Sequence, residues 1–217
     1  MFTALLRIQW KWTRGVILLG MIFGFAIPLA SVQWEESRYG MSSVGSIVAR
    51  MQAFGIAYAL LAAGVGLAVA LVAWSADQRG RHVYALSLPV RRAHYAAMRF
   101  GAGALFILIP AAGVLVGGLL AIAIAHVPDG LHAYPVSLAL RFLLASGVAY
   151  ALFFAIAAST PKAAGMVLGG FGLLLVASFL LPAASIDVNL IGRLGDAVFG
   201  EPGPLSVFTG RWMLFDA

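Results

Sequence analysis

No cysteine occurs among the 217 residues, which excludes disulfides, thiolate metal sites and cysteine nucleophiles together. Charge is scarce as well. Asp, Glu, Lys and Arg make up 10% of the chain, against about 25% in a typical soluble domain, while apolar residues reach 62% against about 45–50%. A chain of this size cannot enclose so much apolar surface in water, so lipid or other helices must meet it. Lysine is limited to Lys11 and Lys162, and neither has the neighbours of a Gly-x-x-x-x-Gly-Lys-Ser/Thr phosphate loop. Nothing in the chain can therefore cradle nucleotide phosphates. The net charge of +6 does not point to nucleic acid, because the basic residues sit between apolar runs rather than among stacking aromatics on a polar face.

What is present is a series of apolar runs. Met1 to Gly15 mixes Phe2, Leu5, Leu6, Ile8, Trp10 and Trp12 with Arg7, Lys11 and Arg14, a composition that predicts an amphipathic helix at the membrane interface over 1–15. Val16 to Ala30 follows as a short run containing Pro28. Pro28-Leu29-Ala30 is a poor small-x-small cleavage site, so a retained span is expected rather than a signal peptide. Phe54 to Trp74, Phe100 to Ala125, Phe142 to Ala158 and Ala163 to Leu181 suit a hydrocarbon core of about 30 Å, which takes about 20 residues at 1.5 Å each. Pro110 predicts a kink or strong tilt in the third span. The fold class expected is all-α, a polytopic transmembrane bundle over 16–182 with five spans, followed by an outer-surface segment of helix and loop over 183–217.

Alternating the spans with the amino terminus inside puts nine basic residues inside: Arg7, Lys11, Arg14, Arg79, Arg81, Arg91, Arg92, Arg99 and Lys162. Five fall outside: Arg38, Arg50, Arg141, Arg193 and Arg211. The excess of Lys and Arg on one side argues for a cytoplasmic amino terminus. Four-residue glycine pairs recur within the spans, Gly20 with Gly24, Gly113 with Gly117 and Gly165 with Gly169. Such pairs let helix backbones approach closely, although the general abundance of glycine in membrane helices accounts for any one pair equally well. Trp10, Trp12, Trp34, Trp74, Tyr84, Tyr95, Tyr134 and Trp212 fall near span ends, where interfacial anchoring explains them.

Candidate chemistry is thin. His126, Asp129 and His132 have ligand-type side chains, but Pro128 and Gly130 oppose a helical metal face. The spans hold almost no ionisable groups, which disfavours a proton-coupled carrier. Ser159 has no histidine or carboxylate nearby in sequence that could complete a hydrolytic triad. No catalytic residue, metal or cofactor is expected, and the chain reads as a non-enzyme.

The informative segment is the connection between the second and third spans, 76–99. It contains Asp77, Arg79, Arg81, His82 and Tyr84, then Leu86-Ser-Leu88-Pro89-Val-Arg91-Arg92. On charge alone these arginines would only fix topology and touch anionic head groups. The order of residues, a polar span end, a short helix and then Leu-Ser-Leu-Pro-Val-Arg-Arg, resembles the permease subunits of type-2 ABC exporters. That resemblance implies a cytoplasmic coupling helix in this loop, docked on a separate ATPase subunit through Leu86, Leu88 and Pro89, with Asp77, Arg79, Arg81, His82, Tyr84, Arg91 and Arg92 as further contacts. It also implies an interface helix before the first span and pairing with a second copy or a related permease. A sixth span would follow Ala217. Partners beyond these would be membrane lipids, with no nucleic acid, in the inner (plasma) membrane. The apolar spans suit a lipid-like or amphipathic cargo. A non-transporting membrane scaffold or assembly subunit is the alternative from another class.

Overall fold

In lipid a backbone has no water to bond, so long apolar segments must satisfy their N–H and C=O groups internally, as helices do. The computed structural model describes residues 2–36, 44–79, 91–124, 132–159, 161–183, 190–199, 205–208 and 212–216. Six α-helices occur among them: α1 (Phe2–Glu36), α2 (Val44–Arg79), α3 (Arg92–Ile124), α4 (Pro135–Ala158), α5 (Pro161–Ala183) and α6 (Leu190–Phe199). A 3-10 turn covers Ser206–Phe208, and two short strands, β1 (His132–Ala133) and β2 (Phe215–Asp216), pair antiparallel. Four helices are long and apolar enough to cross a membrane, over Phe2–Val32, Phe54–Trp74, Ala93–Ile124 and Pro135–Ala158. The chain is an all-α, multi-pass membrane protein. In α5 the apolar stretch is shorter, Gly165–Ser178.

Several boundaries differ from the sequence reading. The expected break between an interface helix and the first span is absent, and α1 runs unbroken for 35 residues, about 52 Å at 1.5 Å per residue. Gly15 sits inside it with no side chain within 4 Å of where its Cβ would be. One exposed glycine costs a helix only about 1 kcal/mol, too little to break one braced against α3 through Phe2 at Gly101 and through Trp10 on Phe106, ring centroids 5.5 Å apart. The fourth span begins at Pro135 rather than Phe142. Proline suits a first helical position, and the Tyr134 carbonyl accepts the Leu138 N–H at 3.0 Å to close the first turn. The third helix starts at Arg92, so Tyr95 and Arg99 lie within it rather than in a loop. It continues through Pro110.

The chain divides into two units, Met1–Ala155 with Arg211–Ala217, and Ile156–Gly210. In the first, α1 and α3 run parallel and interlock through small residues. A Cβ on Gly113 would lie 2.7 Å from the Met21 carbonyl oxygen, and one on Gly117 2.5 Å from that of Phe25. The relation is reciprocal, since a Cβ on Gly24 would lie 3.0 Å from the Pro110 carbonyl oxygen and one on Gly20 3.3 Å from the Pro110 ring. Gly24, Gly113 and Gly117 thus mark contact with the facing backbone and Gly20 a close fit to the Val65 side chain and the Pro110 ring, the arrangement that van der Waals packing in lipid requires. Helices α2 and α4 also run parallel, with Gly66 against α4, where a Cβ would lie 2.7 Å from both the Ser146 carbonyl oxygen and the Tyr150 backbone nitrogen. Half of the apolar window of α3 is buried, against 28% for α1 and α4, which makes α3 the central helix. Leu18, Ile22, Phe23, Leu60, Leu119 and Leu144 are among the large side chains that point outward to lipid.

The end carrying Arg7, Lys11, Arg14 and Arg91 is the basic end of this unit. At the opposite end Trp212, Met213, Leu214 and Phe215 are buried. Strand β2 fixes them there, with Tyr134 N–H donating to the Leu214 carbonyl at 2.8 Å. Trp212 packs at Gly55 of α2, and Leu214 at Gly118 of α3. The expected outer-surface segment therefore includes a buried closing piece. In the second unit the Leu205 N–H donates to the Val198 carbonyl at 2.9 Å, folding the 3-10 turn back on α6.

Candidate functional site at the basic end

The two helices that flank the expected coupling loop meet at an aromatic clasp. Trp74 stands near the end of α2, and Tyr95 and Arg99 share one face of α3 at a four-residue spacing. The Arg99 guanidinium carbon is 5.3 Å from the centroid of the Trp74 ring and 5.3 Å from that of Tyr95. All three are buried, and Arg99 is only 7% exposed. A guanidinium so far removed from water is costly without compensation. Contact with an aromatic face returns about 0.5–2 kcal/mol per ring, more as the pair is desolvated.

Helix α4 completes the clasp. Phe154 packs against Trp74 at 5.4 Å between centroids and edge-on against Phe100 at 5.3 Å and 77°. Tyr150 stacks on Phe100 at 5.0 Å and 26°, and its hydroxyl donates to the Phe100 carbonyl at 3.1 Å. Gly103 makes the space for that hydroxyl, because a Cβ there would overlap the tip of the Tyr150 ring. Aromatic pairs of this kind contribute about 0.5–1.5 kcal/mol each beyond area burial. The residues before and after the loop are thus fastened to each other and to a third helix.

Of the ten expected docking residues, Arg91 is exposed, and its carbonyl accepts the Tyr95 N–H at 3.1 Å as α3 begins. The backbones of Asp77 and Arg79 belong to the last turns of α2, and that of Arg92 opens α3. Their side chains, together with Arg81, His82, Tyr84, Leu86, Leu88 and Pro89, lie outside the described residues. The loop itself is shorter than 76–99, since both helices extend into that range. His132 stands in β1 opposite Asp216, while His126 and Asp129 lie outside the described residues.

No family model, curated protein or solved structure matches the chain. The site is therefore read from its own residues. Sequence alone casts Trp74 and Tyr95 as interfacial anchors and Arg99 as a topology charge. The signal that could have found the clasp is the Tyr95–Arg99 spacing with Trp74 on the other side of the loop, which places two rings and one cation at adjoining helix ends.

Proposed function

We propose that this chain is the membrane-spanning permease subunit of an ATP-driven exporter, similar in layout to type-2 ABC permeases. It would couple to a separate ATPase subunit through the loop between α2 and α3. One observation carries the reading. The loop runs from the end of α2 to the start of α3, and inside those helix ends Trp74, Tyr95 and Arg99 are locked together and onto α4. A push on such a loop moves α2, α3 and α4 as one body instead of being absorbed by slack helix ends. The glycine seam then passes the movement from α3 to α1. A loop serving only as a topology anchor needs no such brace.

In this reading α5 is a fifth span, the amino terminus is cytoplasmic in the inner (plasma) membrane, and the chain pairs with a second copy or a related permease. Leu86, Leu88 and Pro89 make the docking surface, flanked by Arg79, Arg81, Arg91 and Arg92. The lack of a phosphate loop is consistent with hydrolysis on another chain. The outward apolar surface suits a lipid-like or amphipathic cargo.

Copurification tests the proposal. The intact chain, purified from its own membranes, is expected to bring down a stoichiometric protein with a phosphate-binding loop. Replacing Leu86, Leu88 and Pro89 with aspartate should release it while the chain stays in the membrane. A loop variant that keeps its ATPase, or an intact chain that never binds one, sinks the reading in favour of a scaffold.

A further inference from the structure

Helix α1 presents two stripes in line on its outward side. Arg7, Lys11 and Arg14 are spaced four and three residues apart, within an arc of about 60° at 100° per residue, and all are exposed. The next turns continue the same line with Leu18 and Ile22, exposed by 48% and 60%. The buried Gln9 and Thr13 lie on the far side of the helix from this line, toward the bundle. From Phe2 the helix meets no acidic residue until Glu35. Trp12, half exposed at the same height on another face of the helix, has the side chain that favours head-group depth.

We propose that this face of α1 binds an anionic phospholipid of the leaflet at the basic end. Lys11 and Arg14 would hold its phosphate, with Arg7 adding positive charge further out, and Leu18 and Ile22 would hold an acyl chain. The continuity of the helix carries the argument. Because α1 does not break at Gly15, Arg14 is fixed about one turn and Lys11 about two turns above the apolar stripe, the vertical order in which a phospholipid offers phosphate and chain. A helix lying flat in the interface would separate the two stripes. The inference needs only the membrane location and stands or falls apart from any ATPase.

The test is lipid retention by the full chain, measured by native mass spectrometry from detergent offered equal phosphatidylglycerol and phosphatidylcholine. Retention of the anionic lipid in excess is expected, decreasing as salt rises. At about fivefold per cation near an anionic surface, Lys11→Gln should cut the preference about fivefold and the triple Arg7→Gln, Lys11→Gln, Arg14→Gln variant on the order of 100-fold. Arg193→Gln, an exposed cation on α6, should leave it unchanged. Lys11 is exposed, so Lys11→Gln reads the site even if the triple variant misfolds. The proposal is overturned if neither variant lowers the preference, if Arg193→Gln lowers it equally, or if soluble glycerol phosphate displaces the lipid at matched concentration.

Discussion

Replacing Gly113 and Gly117 with alanine tests the packing of α1 on α3. A Cβ at Gly117 would stand 2.5 Å from the Phe25 carbonyl oxygen and 2.9 Å from its Cα, and one at Gly113 2.7 Å and 3.2 Å from the same atoms of Met21. Ordinary contact between carbons is about 3.5–4.0 Å, so α1 must retreat from α3 by roughly 1 Å. Alanine recovers about 1 kcal/mol of helix propensity, but overpacking a tight contact costs about 1–3 kcal/mol, and each retreat also opens the seam at Gly20 and Gly24. A net loss of about 1–2 kcal/mol per substitution is expected, with less than additive loss in the double variant because the second methyl enters a seam already opened. At about 2–4 °C per kcal/mol for a chain of this size, each should lower the thermal midpoint in detergent by roughly 2–8 °C. Gly165→Ala and Gly169→Ala supply the comparison. The same four-residue spacing there has nothing within 4 Å of either Cβ, so no loss is expected. Equal midpoints for all four variants, or a loss confined to the α5 pair, would refute the reasoning.

Two of the buried tyrosines, Tyr58 and Tyr150, should respond differently to the same change. Tyr150→Phe removes the bond to the Phe100 carbonyl and should cost about 0.5–1.5 kcal/mol, while Tyr58→Phe removes a buried hydroxyl with no partner among the described residues and should be neutral or stabilising by about 1 kcal/mol. Matching midpoint shifts would contradict this. Arg99→Gln should lower the midpoint by the equivalent of about 1–3 kcal/mol through loss of two ring contacts, and Arg99→Lys by less, because it keeps the cation but not the planar face. An unchanged Arg99→Gln variant would mean that the clasp does not depend on the cation. Leu214→Ala, at a site 1% exposed, should cost about 2–5 kcal/mol, whereas a surface segment would tolerate it.

Much of this architecture is legible in the sequence, for physical reasons. The membrane location follows from apolar runs that water cannot accommodate. The Gly20, Gly24, Gly113 and Gly117 seam follows from the need for backbone approach in lipid. The same spacing at Gly165 and Gly169 has nothing within 4 Å among the described residues, because spacing records what a helix permits and not which helix arrives. The continuity of α1 is hidden for a related reason. Basic and aromatic residues before an apolar run suit a separate interface helix as well as a long straight one, and bracing by Phe2 and Trp10 on α3 decides between them. Arg99 reads as a topology charge because cation-π contact depends on tertiary placement across the loop. The burial of Trp212 to Phe215 depends on pairing with residues near Tyr134, far away in sequence.

The central claim, that the loop between α2 and α3 docks an ATPase, is tested most directly by a photo-crosslinking residue at Leu88. The account predicts an adduct, formed in native membranes, with one protein bearing a phosphate-binding loop, and no such adduct from the same residue placed at Leu144 on the lipid-facing side of α4. Adducts from Leu88 only with lipid, or with proteins that bind no nucleotide, would contradict it.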